Sequence, residues 1–267
     1  MTPAPRFCGH RDPVSVPAPT RPIRPAFDKR EARRLAAGLA FAILGLAPCG
    51  RAHAQIGVSV SLESDYRFRG PSLTDHRPAL SLNLSYDHPS GAYAGASAMV
   101  TDTRYQGVEA LGFMEYAGVV KRVNDDVAVD VGLSNVNLKR YNADRKSELN
   151  YTEVYAGLVG KILNLHGYFS PNYVRSGIQT VYLDLGGVIH PWDKWRLFGH
   201  VGLFAPANDA ATAFGIRRRF DARAGVAREF KNSELHLVWT TYGPQTLRPG
   251  VTPPKRSGVV LGATYFF

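Results

Sequence analysis

Residues 258–267 read Gly258-Val259-Val260-Leu261-Gly262-Ala263-Thr264-Tyr265-Phe266-Phe267. Val259, Leu261, Ala263, Tyr265 and Phe267 share one side of an extended chain, because side chains of a strand alternate with a period of two. The same period recurs at the start of this region. There Ile56, Val58, Val60, Leu62, Tyr66 and Phe68 alternate with Gly57, Ser59, Ser61, Glu63, Asp65, Arg67 and Arg69. Leu80, Leu82, Leu84 and Tyr86 oppose Ser81, Asn83, Ser85 and Asp87, and Val127, Val129, Val131 and Leu133 oppose Asp126, Asp130 and Ser134. Helix-period stretches are scarce after residue 55.

Working outward from these runs predicts twelve strands, over 55–68, 79–88, 92–100, 109–122, 126–138, 150–162, 165–170, 180–190, 195–204, 217–230, 234–242 and 258–267. The third leaves its facing open: Ala92, Ala94, Ala96 and Ala98 form a small-residue stripe, with Tyr93 and Met99 on the other side. Proline supports the parse. Pro71, Pro78, Pro89, Pro171, Pro191, Pro206, Pro244, Pro249, Pro253 and Pro254 all fall between the expected strands, where a missing N–H does no harm. The links alternate. Short ones (His88–Gly91, Val123–Asp125, Leu163–Asn164, Pro191–Lys194, Lys231–Ser233) lie between long ones such as Arg69–Pro78, Pro171–Gln179 and Gly243–Ser257.

Before this region lies a different kind of sequence. Lys29-Arg30-Glu31-Ala32-Arg33-Arg34 is basic, Leu35 to Ala47 is almost wholly apolar, and Ala52-His53-Ala54 is a small-x-small site. That order is the signature of a secretory signal peptide cleaved near Ala54. Seven of the 18 prolines precede it, in residues 1–28, so the front of the leader is either an unstructured extension or lies upstream of the true start. Residues 1–54 are therefore expected to be removed, and 55–267 to form the barrel domain.

The leader also accounts for most of the charge. The chain carries +10, with 32 Lys and Arg against 22 Asp and Glu. Nine of those bases and three of those acids lie in residues 1–54, which leaves +4 for the remainder. That weak excess, with no recognisable motif, gives no ground for a nucleic-acid partner. Both cysteines, Cys8 and Cys49, are in the leader too, so 55–267 has neither a disulfide nor a Cys-ligated metal site. Mean hydropathy is −0.17, and no apolar run of about 18 residues occurs, which excludes a helical membrane protein.

Alternation alone does not separate a soluble sandwich from a membrane barrel. Four features together favour the barrel: the export signal, the alternation of long and short links, strands of bilayer-crossing length, and the apolar aromatic face of the last strand. That face, ending in Tyr265 and Phe267, resembles the signal by which barrel-assembly machinery recognises outer-membrane proteins. Aromatic residues near strand ends (Tyr66, Phe68, Tyr86, Tyr116, Tyr265 and Phe267) are expected to form interfacial girdles. The expected fold is an all-β, transmembrane, antiparallel up-and-down barrel of about twelve strands in the bacterial outer membrane.

The stretch Ser64-Asp65-Tyr66-Arg67-Phe68-Arg69-Gly70, followed by Ser72 and Thr74, resembles the opening motif of the TorF porin family. Pro78-Ala79-Leu80, Gly91-Ala92-Tyr93, Tyr151-Thr152-Glu153-Val154-Tyr155-Ala156-Gly157, Tyr182-Leu183-Asp184-Leu185-Gly186 and Gly199-His200-Val201-Gly202 continue the similarity, as do Asp221 and Gly225. Pro71 and the basic segment 139–146 depart from the pattern. The resemblance implies an outer-membrane pore; it implies no particular solute.

On the period-2 reading the lumen carries Glu63, Asp65, Arg67, Arg69, Glu115, Asp130, Glu153, Asp184, Arg196, His200, Asp221 and Arg223. Lining charges set selectivity in a pore, or they pair within the wall; the mixed signs suit both. Along the first strand, Glu63 and Asp65 are expected deeper and Arg67 and Arg69 nearer the outer mouth. The expected activity is passive diffusion of small hydrophilic solutes or ions, without a cofactor or metal and with no catalytic residue. The alternatives are a lipid-acting barrel enzyme and a structural barrel without an open pore. Against the enzyme stand the lack of a Gly-x-Ser-x-Gly elbow and of helical His pairs. The basic clusters Arg217-Arg218-Arg219, Lys139-Arg140 and Arg145-Lys146 fall at expected outer loops. They suit contact with lipopolysaccharide phosphates, capture of anionic solute, or simple solvation.

Overall fold

A computed structural model describes residues 55–104, 106–142, 145–243 and 256–267; the expected leader lies outside them. Twelve strands occur among the described residues: β1(Gln55–Glu63), β2(Ala79–Asp87), β3(Ala92–Thr103), β4(Gly107–Arg122), β5(Val127–Asn142), β6(Arg145–Gly160), β7(Leu163–Ser170), β8(Thr180–Trp192), β9(Trp195–Pro206), β10(Arg219–Glu229), β11(Ser233–Gly243) and β12(Ser257–Phe266). Each pairs antiparallel with its sequence neighbours, and β1 pairs with β12, so the sheet closes into an up-and-down barrel. At that seam Val60 faces Tyr265, Leu62 faces Ala263, and the Phe267 N–H donates to the Val58 carbonyl. Closure gives every strand among the described residues a neighbour on both sides, as a bilayer-spanning sheet requires.

The two faces sort by chemistry. Leu82, Val131, Leu183, Val201, Leu237 and Leu261 point out of the barrel, each at least 40% exposed. Ser81, Met99, Glu153, Tyr182, Asp221 and Thr240 point in and are buried. In β3 the alanine stripe faces out, while Tyr93 and Met99 face in. One end of the barrel carries short turns and the other carries longer loops.

Three departures from the expected parse have physical causes. First, β1 stops at Glu63. The chain then leaves the wall and folds into the lumen as loop L1 (residues 64–78). Asp65, Leu73 and Thr74 are buried there at 5%, 3% and 1% exposure. Arg69 (φ 49°) and Gly70 (φ 101°) turn the chain, and Arg67 bridges to Ser72. A Cβ on Gly70 would stand 2.5 Å from Tyr242 Cβ, so the loop tip lies against β11.

Second, β5 and β6 run on to Asn142 and Arg145. The sequence reads 139–149 as a link between strands, with a basic loop over 139–146. The pairing nevertheless continues through Lys139–Glu148 and Arg140–Ser147. Third, the strict period fails in β4. Met99 faces Gly112 and Val100 faces Ala110, so Leu111 is an extra residue: a β-bulge. Leu111 points in and is fully buried, and beyond the bulge the inward set becomes Met114, Tyr116 and Val120.

The packed core sits at the long-loop end. Leu73 of L1 belongs to one buried cluster with Leu111, Leu138, Tyr141, Tyr151, Tyr173, Ile178, Phe204 and Ala211. Ala211 belongs to a short helix, α1(Asp209–Ala213), capped by the Asn208 side chain, which accepts from the Ala211 N–H. Barrel wall, L1 and neighbouring loops therefore share one apolar cluster.

Candidate functional site: the lumen

L1 is fixed by two polar knots. Asp65 holds the loop together. Its carboxylate accepts from Arg67 Nε at 2.7 Å and from Thr74 Oγ1 at 3.2 Å, accepts from Ser72 Oγ, and lies 3.0 Å from His76 Nδ1. Arg69 holds the loop to the wall. Its two terminal nitrogens donate to the two Glu153 oxygens, both at 2.7 Å. The guanidinium lies 4.0 Å from the Tyr182 ring centroid and 5.1 Å from that of Tyr168. Burial works against the Arg69 charge, but Tyr151 and Glu153 outweigh it and raise its pKa. Burial also pushes the Tyr66 phenol up.

Beneath L1, toward the short-turn end, is a cavity of about 750 Å³. The loop's Tyr66, Arg67 and Phe68 line it, together with Tyr93, Tyr116, Asp130, His166, Asp184, His200 and Arg223 from the wall. His200 lies between two carboxylates, with Nδ1 2.9 Å from Asp184 and Nε2 2.6 Å from Asp221. Tyr182 donates to Asp221 at 3.2 Å. A second group joins His166 Nε2 to Asp130 at 3.0 Å, and the Tyr93 hydroxyl bonds both Asp130 and Tyr155. A third joins Arg196 to Glu234, with His236 3.7 Å from Glu63. Among the described residues no group of three or more His, Cys, Asp or Glu side chains is arranged to hold a metal ion.

Residues 50–241 match a family described as a bacterial protein of unknown function (Gcw_chp). The chain belongs to this family. No curated relative matches the sequence. Among solved structures, the NanC porin is similar over 79% of this chain and 99% of its own, at 12% identity and a TM-score of 0.52. The KdgM porin, solved with disordered oligogalacturonate, covers 80% of this chain and 99% of its own, at 10% identity and a TM-score of 0.43. The likeness to NanC is one of fold.

In the Gcw_chp barrel, eleven of the twelve residues read as lumen-facing lie inside, but not all as expected. Asp65, Arg67 and Arg69 belong to L1, not to a strand. Acids and bases are therefore not segregated along β1: Arg67 folds back on Asp65 and Arg69 crosses to Glu153. Glu115 is the exception. It pairs with Ala96 and Asn135 and is exposed on the outward face, because the bulge at Leu111 shifts the period of β4 by one residue. Tyr66, Phe68 and Tyr116 are likewise interior, not girdle, residues.

Sequence reading missed His166 and the interior tyrosines of the Gcw_chp barrel. A signal existed for several of them. Each lies over an inward glycine of a neighbouring strand that leaves room for the ring, directly opposite for Tyr155 and His166 and diagonally for Tyr182. A Cβ on Gly132 would meet the Tyr155 hydroxyl at 2.4 Å, one on Gly202 the Tyr182 hydroxyl at 2.1 Å, and one on Gly157 His166 Cδ2 at 2.2 Å.

Proposed function

We propose that the chain is an outer-membrane channel for passive diffusion of small hydrophilic solutes or ions, delivered by a signal peptide cleaved near Ala54. The observation that carries this reading is the sorting of the two faces: a closed barrel with an apolar outside around a charged, cavity-bearing inside. The apolar face matches a lipid belt, and the short-turn end takes the periplasmic side. L1 folds in from the opposite, outer side and narrows the passage. The resemblance of Ser64–Gly70, the start of L1, to the TorF porin family supports the reading.

No catalytic step belongs to this function. Its mechanism is lumen width, the position of L1 and the charge of the lining. The partners are outer-membrane lipid and lipopolysaccharide around the belt, and the barrel-assembly machinery at the outward edge made by Tyr265 and Phe267, whose rings meet edge-on at 5.0 Å. Purified protein in planar lipid bilayers gives discrete conductance steps on this reading. A folded barrel, recognised by heat-modifiable gel mobility, that never conducts overturns it.

A further inference from the structure

Most inward charges of this barrel are paired. Arg69 has Glu153, Arg67 has Asp65, Arg196 has Glu234, and His200 has two aspartates. Two arginines break the rule with a buried, unsatisfied nitrogen. Arg140 near the end of β5 and Arg219 at the start of β10 have no hydrogen-bond or ion-pair partner among the described residues, and in both the Nε atom is buried without an acceptor. Such orphaned donors are rare in native structures, and each costs stability unless something occupies it.

Their placement is specific. Arg140 continues the inward row of Val136 and Leu138, and Arg219 the inward row of Asp221. They come from strands separated by β6 to β9 on the shorter way round the barrel, yet each acts electrostatically on the other and on Tyr242. Arg67 and Arg256 act on Tyr242 as well. The Arg219 guanidinium is stacked 4.1 Å from the Phe204 ring centroid, which fixes its plane while leaving its edge open. Two like charges that act on one another, each with a buried Nε lacking an acceptor, form a site that is unfinished without an anion.

We propose that Arg140 and Arg219 form a binding subsite for a small oxyanion, a carboxylate or phosphate group on a free solute, beside L1 at the long-loop end of the lumen. Its role in selecting solutes rests on the channel reading; the binding itself does not. Both side chains point inward, so the ligand is a solute entering the lumen, not a headgroup in the surrounding lipid. An oxyanion there accepts from both guanidinium groups and removes their mutual repulsion.

The test is binding of inorganic phosphate to the purified full-length barrel, in detergent and free of lipopolysaccharide, with ionic strength held constant by chloride. Saturable binding, read by calorimetry and by a rise in the temperature of the heat-modifiable transition, is expected of the wild-type chain. The Arg140→Gln/Arg219→Gln double variant should lose roughly tenfold or more in affinity, since each guanidinium supplies a charge-assisted bond. The single variants, each weakened, carry the test should the double variant not fold. No phosphate binding by the wild type, or undiminished binding by the folded variants, overturns the site. A wild-type barrel that binds phosphate but does not conduct keeps the site and overturns only the channel; one that conducts but binds no phosphate does the reverse.

Discussion

Arg69 of L1 and Glu153 of β6 meet in a two-pronged pair across the interior of the barrel, both contacts at 2.7 Å and both side chains at 10% exposure or less. β1, from which L1 departs, and β6 are not neighbours. The pair therefore pins the loop to a distant wall. Removing one partner from a buried pair strands the other charge, at a cost of about 3–5 kcal/mol. Glu153→Gln is expected to release L1, raise single-channel conductance severalfold and lower the temperature of the heat-modifiable shift. Conductance and shift temperature both equal to wild type would count against the pin.

The β4 bulge depends on Gly112. Its φ is 136°, outside the range ordinary side chains adopt, and a Cβ there would stand 2.0 Å from the Asn137 carbonyl oxygen. Gly112→Ala must shift β5 or undo the bulge. Undoing it would turn the rest of β4 over, carrying Tyr116 outward and Glu115 inward. The expected result is a large loss of heat-modifiable, folded protein in refolding assays. A variant that refolds as well as wild type would show that the strand can reset without penalty.

Glu115 faces outward and Asp184 faces the cavity, though the uninterrupted period makes both lumen residues. Their neutral variants should separate. Asp184→Asn removes a lining charge and shifts the reversal potential, in a salt gradient, toward anion selectivity. Glu115→Gln leaves it unchanged. An equal shift from both would return Glu115 to the lumen.

The barrel was readable in the sequence because its two faces meet different media, so polarity alternates wherever lipid lies on one side. Strands such as β2, β8 and β12 are nearly as expected for that reason. The reading weakens where that contrast ends. The top of β5 and β6 is basic and polar apart from Tyr141 and Leu149, so paired strand looks like loop. L1 presents the opposite problem. Ser64–Arg69 alternates as a strand does, with Tyr66 and Phe68 against Asp65, Arg67 and Arg69, yet its aromatics face a protein interior. Only the turn at Gly70-Pro71 marks the departure. Cross-barrel partners such as Arg69 and Glu153 depend on closure and on the path of L1, which no local period encodes.

The burial of L1 can be read out chemically, because residues 55–267 contain no cysteine. Leu73 is 3% exposed within the apolar cluster, whereas Ser176, in the loop between β7 and β8, is exposed. In Leu73→Cys the smaller side chain keeps the site apolar, and its thiol should resist a charged, membrane-impermeant maleimide. The thiol of Ser176→Cys should react at once. Adding Glu153→Gln to Leu73→Cys frees the loop from its pin and should speed labelling at position 73 well above the single variant, with position 176 unaffected. The comparison separates release of L1 from general unfolding, which would expose both sites and abolish the heat-modifiable shift. Rapid labelling of Leu73→Cys in the otherwise native chain would mean that L1 does not rest inside the barrel.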